Sequence, residues 1–126
     1  MPPNDVAIAA EWADILERRE AKRTGMTLRE VRPIVARRVG VPEGKLYSLR
    51  RGRLKDIAHR WLTRLGEGVV EALQNELRHV EHELQTLRQI GAHPDSDEMR
   101  SVLASRAKIL AALNLAPLPE HEREGV

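Results

Sequence analysis

Cysteine and phenylalanine are absent from this 126-residue chain, and its only aromatic side chains are two tryptophans and one tyrosine. Without cysteine there is no disulfide framework, no zinc ribbon and no thiol nucleophile. The scarcity of aromatic residues argues against a β-sandwich, because sheets favour aromatic and β-branched side chains. Long hydrophobic runs are missing too. The longest, residues 6–10 and 109–113, are far too short to cross a bilayer. The N-terminus lacks the charged and apolar parts of a signal peptide, so a cytoplasmic protein with no membrane partner is expected. What is present is a charged chain with an apolar complement of Leu, Val, Ile and Ala, which suits helix-on-helix packing. The fold class expected is all-α.

The net charge of +2 conceals an asymmetry. Residues 18–64 carry 15 Lys and Arg against 4 acids, a balance of +11, whereas residues 1–17 sum to −4 and residues 65–126 to −5. Such a basic block is the electrostatic footprint of a nucleic-acid partner, although lipid headgroups or an acidic protein also answer to it. The plainest alternative is a solvated basic face with no partner.

Along the chain, Ile8, Trp12, Ile15 and Leu16 fall at helical spacing, with acids early and bases late as the helix dipole prefers. This first helix should end near Gly25. "TLRE", residues 27–30, reads as a capping box that starts a second helix. Pro33 then either kinks that helix or opens a new one. A further helix places Ile57, Trp61, Leu62 and Leu65 on one side, and "GEG", residues 66–68, reads as a flexible boundary. Beyond it, Val70, Leu73, Leu77, Val80, Leu84 and Leu87 recur at intervals of three and four, a short coiled-coil-like seam expected to serve oligomerisation. A turn at residues 91–95, capped by Asp95 or Ser96, leads into a helix with Met99, Val102, Leu103, Leu110 and Leu113 on its apolar face, which gives an αα-hairpin. The seam closes either within one chain or between chains. Three segments follow: a module over residues 1–65, a hairpin over 66–114, and a Pro-bearing charged tail over 115–126 expected to be disordered.

The most informative stretch is "ARRVGVPEGKLYSLRRGR", residues 36–53. Gly40 comes four residues after Ala36, Leu46 ten after and Leu49 thirteen after, with Val35, Val39 and Val41 between or beside them. Two short helices crossing steeply need a small residue where they touch and a glycine in the tight turn, and Gly52 can end the second. This pattern resembles the helix-turn-helix of phage repressors, Cro-like proteins and related bacterial regulators. The resemblance implies a recognition helix over about residues 43–51 in the major groove of double-stranded DNA. Glu43, Gly44, Lys45, Tyr47, Ser48 and Arg51 would face outward, and Glu43, Lys45, Tyr47, Ser48 and Arg51 become candidates for base contacts. Arg51 is the candidate for a bidentate contact to guanine. Arg37, Arg38, Arg50, Arg53 and Lys55 would grip phosphates, which fixes register and makes affinity salt-dependent.

Other features read more plainly. Trp12 and Trp61 lie in apolar stripes and are expected to pack in the core. His79, His82 and Glu83 in "RHVEHE" fall on outward heptad positions, so solvated histidines are expected and no metal. There is no glycine-rich phosphate loop, nucleophile elbow or inward pair of carboxylates. No enzyme, cofactor or small-molecule ligand is expected.

The reading that results is a sequence-specific DNA-binding regulator of phage or mobile-element type, a homo-oligomer and most simply a dimer. Two alternatives stand beside it. The architecture is also similar to phage small terminase subunits, which implies a DNA-packaging ring. A helical scaffold that binds an acidic protein needs no DNA at all.

Overall fold

The structure, a computed structural model, describes residues 5–115, and among them it is all-helical. Five helices follow in order: α1 (Asp5–Thr24), α2 (Leu28–Val39), α3 (Glu43–Arg50), α4 (His59–Gln89) and α5 (Asp97–Leu115). The chain divides into two compact units, one reaching to Val69 and the other starting at Val70. Each is described separately. The expectations for the tail beyond Leu115 fall outside the described residues.

In the first unit α1, α2 and α3 pack on one another. The inward side of α1 is Ala9, Ala13, Leu16, Glu17 and Glu20, at helical spacings of three and four with Leu16 and Glu17 adjacent. The alanines let neighbouring backbones approach closely. Ile8, Trp12 and Ile15, expected to share the core stripe with Leu16, are only half-buried. The apolar pattern misses the true inward face because two of its five residues are carboxylates.

The capping box that starts α2 is present: Thr27 accepts from the Glu30 backbone N–H, and the Glu30 carboxylate accepts from the Thr27 N–H. Pro33 lies inside α2, which continues through it to Val39. It removes only the bond that its nitrogen would have given to the Arg29 carbonyl, a tolerable loss in so short a helix. Gly40 closes α2 at φ 73°, with its N–H on the Ala36 carbonyl, a left-handed conformation that other residues adopt at a cost. The turn delivers the chain into α3, where Leu46 and Leu49 are buried against α1 and α2. Gly52, at φ 66°, follows the last turn.

The tripeptide at residues 66–68 is not a flexible boundary, because α4 runs through it without a break. Gly66 is buried. A methyl group at Gly68 would stand 2.6 Å from Val39 Cγ1 and 3.5 Å from Leu16 Cδ1. Gly68 therefore lets α4 cross the end of α2 at close range, a packing role rather than a hinge. From the same helix Arg64 donates to the Gly40 carbonyl at 2.7 Å and ties the α2–α3 turn to α4.

In the second unit the rest of α4 meets α5, with Arg106 Nε 3.6 Å from a Glu81 carboxylate oxygen. Gly91, at φ 76°, turns the chain. Ser96 caps α5 by accepting from the Met99 N–H. Leu73, Leu84, Met99 and Ile109 are buried, whereas Val70, Leu77, Val80 and Leu87 of the seam are half-buried. Leu103, expected on the inward face of α5, is 39% exposed, and Ile109 is buried in its place. Positions 99, 102, 106, 109 and 113 share one side of a 3.6-residue helix, while 103 and 110 lie one step round it.

Candidate nucleic-acid interface

The electrostatics of the first unit begin with three carboxylates. Asp14, Glu17 and Glu20 are spaced by three on α1, which puts them along one side. Each meets arginines from the basic block. Asp14 pairs with Arg18 at 2.8 Å and with Arg50 of α3. Glu17 accepts through Oε1 from Nε and Nη2 of Arg32, at 3.4 and 3.3 Å, with Arg50 Nε 4.0 Å away. Glu20 holds Arg23 at 2.5 Å and Arg38 at 3.0 Å.

These carboxylates respond differently to their surroundings. Hydrogen bonds from Arg23 and Arg38 hold the Glu20 carboxyl down at about 2. Glu17 moves the other way: burial pushes its carboxyl up, and the hydrogen bond and charge of Arg32 only partly oppose that. Its Oε2 is buried with no hydrogen-bond partner among the described residues.

The three carboxylates hold Arg18, Arg23, Arg32, Arg38 and Arg50 against α1. Arg50 was expected to grip phosphate, but its side chain is 19% exposed and ties α3 to α1. Arg38 is also committed to α1, although half of its side chain remains exposed. The spacing of α1 carried the missing signal, since acids at 14, 17 and 20 share a face with Ala9, Ala13 and Leu16. Periodicity searches that count only apolar residues pass over it.

Arg37, Lys45, Arg51, Arg53 and Lys55 are exposed, and none meets a carboxylate among the described residues. Four of these five lie on α3 or within five residues of its end. The outward side of α3 consists of Glu43, Gly44, Lys45, Tyr47 and Arg51, with Ser48 half-buried. Tyr47 is 41% exposed. Three guanidiniums surround it, with Arg51, Arg32 and Arg53 at 5.4, 5.5 and 5.9 Å from the ring centroid, within reach of cation–π attraction.

Trp61 departs from the core role expected of it. It is half-buried, with Arg60 and Arg64 at 4.4 and 5.3 Å from its ring centroid. Trp12 is half-buried as well. His79 lies 3.1 Å from Glu83 across one turn of α4, both well exposed. Among the described residues no His, Asp and Glu group is placed to hold a metal ion, and no helix is long and apolar enough to cross a membrane.

Compared with known proteins, the chain matches no protein-family model, no curated protein and no solved structure.

Proposed function

We propose that this protein is a sequence-specific double-stranded DNA-binding protein, a transcriptional regulator of phage or mobile-element type. In this reading α2, the turn at residues 40–42 and α3 form a helix-turn-helix, and α3 enters the major groove. The observation that carries it is the sorting of charge. Six arginines of the basic block, at 18, 23, 32, 38, 50 and 64, bond to acceptors within the chain. Among the described residues, Lys22, Arg29, Arg37, Lys45, Arg51, Arg53, Lys55 and Arg60 have no such acceptor, and four of these, Lys45, Arg51, Arg53 and Lys55, lie on α3 or within five residues of its end. A polyanion meeting α3 gives that concentration of free cations a purpose.

Arg51, Lys45, Tyr47, Ser48 and Glu43 are then the candidates for base edges, and Arg37, Arg53 and Lys55 for phosphates. Arg38 contributes to phosphate binding only by sharing its guanidinium with Glu20, and Arg50 acts as an internal strut. The half-buried seam residues Val70, Leu77, Val80 and Leu87, with the exposed Leu103, support a second copy on the α4–α5 unit, so that a dimer offers two recognition helices.

Amide chemical-shift mapping with a short duplex tests this reading. Shifts concentrated in residues 43–55 support it, and shifts centred on α5 or absent altogether count against it.

A further inference from the structure

The surroundings of Tyr47 contain more than a helix-turn-helix needs. An exposed tyrosine on a helix ordinarily exchanges between staggered rotamers. Here Arg32 of α2 lies over the ring, and Arg32 is itself fixed: its side chain is 14% exposed, and two of its nitrogens donate to the fully buried Glu17. A chain of contacts thus runs from a buried carboxylate on α1, through a guanidinium on α2, to an aromatic ring on the outward side of α3. Arg51 and Arg53 cover the ring too, but both are exposed and meet no acid among the described residues, so they remain able to turn to a ligand.

We propose that Glu17 and Arg32 are positioning residues that hold Tyr47 in one orientation, so that its phenol hydroxyl discriminates a base edge in duplex DNA. The inference rests on the DNA-binding reading and deepens it. With the ring engaged by guanidiniums, the hydroxyl is the polar group left for the ligand, and it can donate to a base acceptor or accept from an exocyclic amine. A hydroxyl in a fixed place penalises the base pair that cannot match it, whereas a freely turning one bonds to whatever is near. Arginine is required at position 32. Its planar fork can bond to Glu17 with one edge while its face lies against the ring, and a lysine ammonium keeps the charge but not that geometry.

Two measurements test the proposal, and the first needs no DNA. Side-chain NMR couplings of the free full-length protein should give Tyr47 a single χ1 rotamer, and Arg32→Lys should give averaged couplings. Averaging in the wild type, or a single rotamer retained in Arg32→Lys, overturns the positioning. The second measures affinity for a duplex selected by the wild type against affinity for a random duplex. Arg32→Lys and Tyr47→Phe should each lower that preference about tenfold, the effect of one base-edge contact. In Arg32→Lys, which keeps the charge, random-duplex affinity and its salt dependence should not change. The double variant should lose no more than either single one. Equal losses on both duplexes, an unchanged preference or additive effects overturn the role in discrimination. If Arg32→Lys fails to fold, Tyr47→Phe and the wild-type couplings still decide the matter. Failure of the wild type to bind any duplex sinks the DNA-binding reading, while the couplings still judge the positioning alone.

Discussion

Arg32 directs both Nε and Nη2 at a single oxygen of Glu17, and the other oxygen, Oε2, is buried without a hydrogen-bond partner among the described residues. The pair is therefore an incomplete answer to a buried charge, since desolvation still outweighs the guanidinium in setting the Glu17 carboxyl. Removing one member should hurt more than replacing both.

Among the described residues Arg32→Met leaves Glu17 with Arg50 at 4.0 Å as its one cation, and it should cost about 3–5 kcal/mol of stability. Combining it with Glu17→Leu should restore most of that loss. Both tryptophans lie in the first unit, so urea unfolding followed by tryptophan fluorescence reports on it directly. A double variant as unstable as Arg32→Met alone contradicts the account.

Acid should act on the two buried carboxylates with opposite signs. Glu20, held at about 2 against an ordinary 4.5, contributes stability that is fully present above 4.5 and lost as pH falls toward 2. Glu17, raised above 4.5, contributes in the opposite sense: stability gained on protonation is full below 4.5 and lost as pH rises through its folded value. Thermal melts across this range should show Glu20→Gln without its part of the acid loss. Glu17→Gln should lack the gain that the wild type makes on moving from neutral pH toward 4.5.

Much of this arrangement could be read from the sequence. The all-helical class followed from the scarcity of aromatics and the 3.6-residue spacing. The capping box at Thr27, the left-handed Gly40 and the buried Leu46 and Leu49 followed from local chemistry that tertiary packing does not override. Two kinds of feature did not. Glycine has the same letter whether it loosens a linker or admits a neighbouring helix, so Gly68 was legible only once Val39 stood beside it. Charge counting treats all arginines alike, and which of them face α1 depends on a crossing of helices that no local pattern encodes. For that reason Arg50 and Arg51, adjacent in sequence, have opposite surroundings.

Gly68→Ala tests the close approach of α4 to α2. Alanine should gain about 1 kcal/mol of helix propensity. The methyl group at 2.6 Å from Val39 should cost about 1–3 kcal/mol, for a net loss near 1 kcal/mol. In a Val39→Ala background the same change should become neutral or stabilising, as read by melting temperature. An equal loss in both backgrounds contradicts the contact.

Neighbouring arginines should separate by phenotype in quantitative duplex-binding assays. Arg51→Ala should cost about 1–3 kcal/mol of binding and blur sequence preference, whereas Arg53→Ala should weaken all sequences alike and reduce the salt slope by about 1. Arg50→Ala should lower stability through the lost ties to Asp14 and Glu17 and leave the salt slope unchanged.

The central claim, that the cations left unpaired around α3 meet the phosphates of duplex DNA, is tested most directly by fluorescence anisotropy. A labelled random-sequence duplex is titrated with the protein at low and at physiological salt. Three untethered phosphate contacts, Arg37, Arg53 and Lys55, at about −0.9 each, predict a log–log slope with salt of about −3 per bound chain. No binding even at low salt would contradict the account and leave the basic block to be explained by a partner other than DNA.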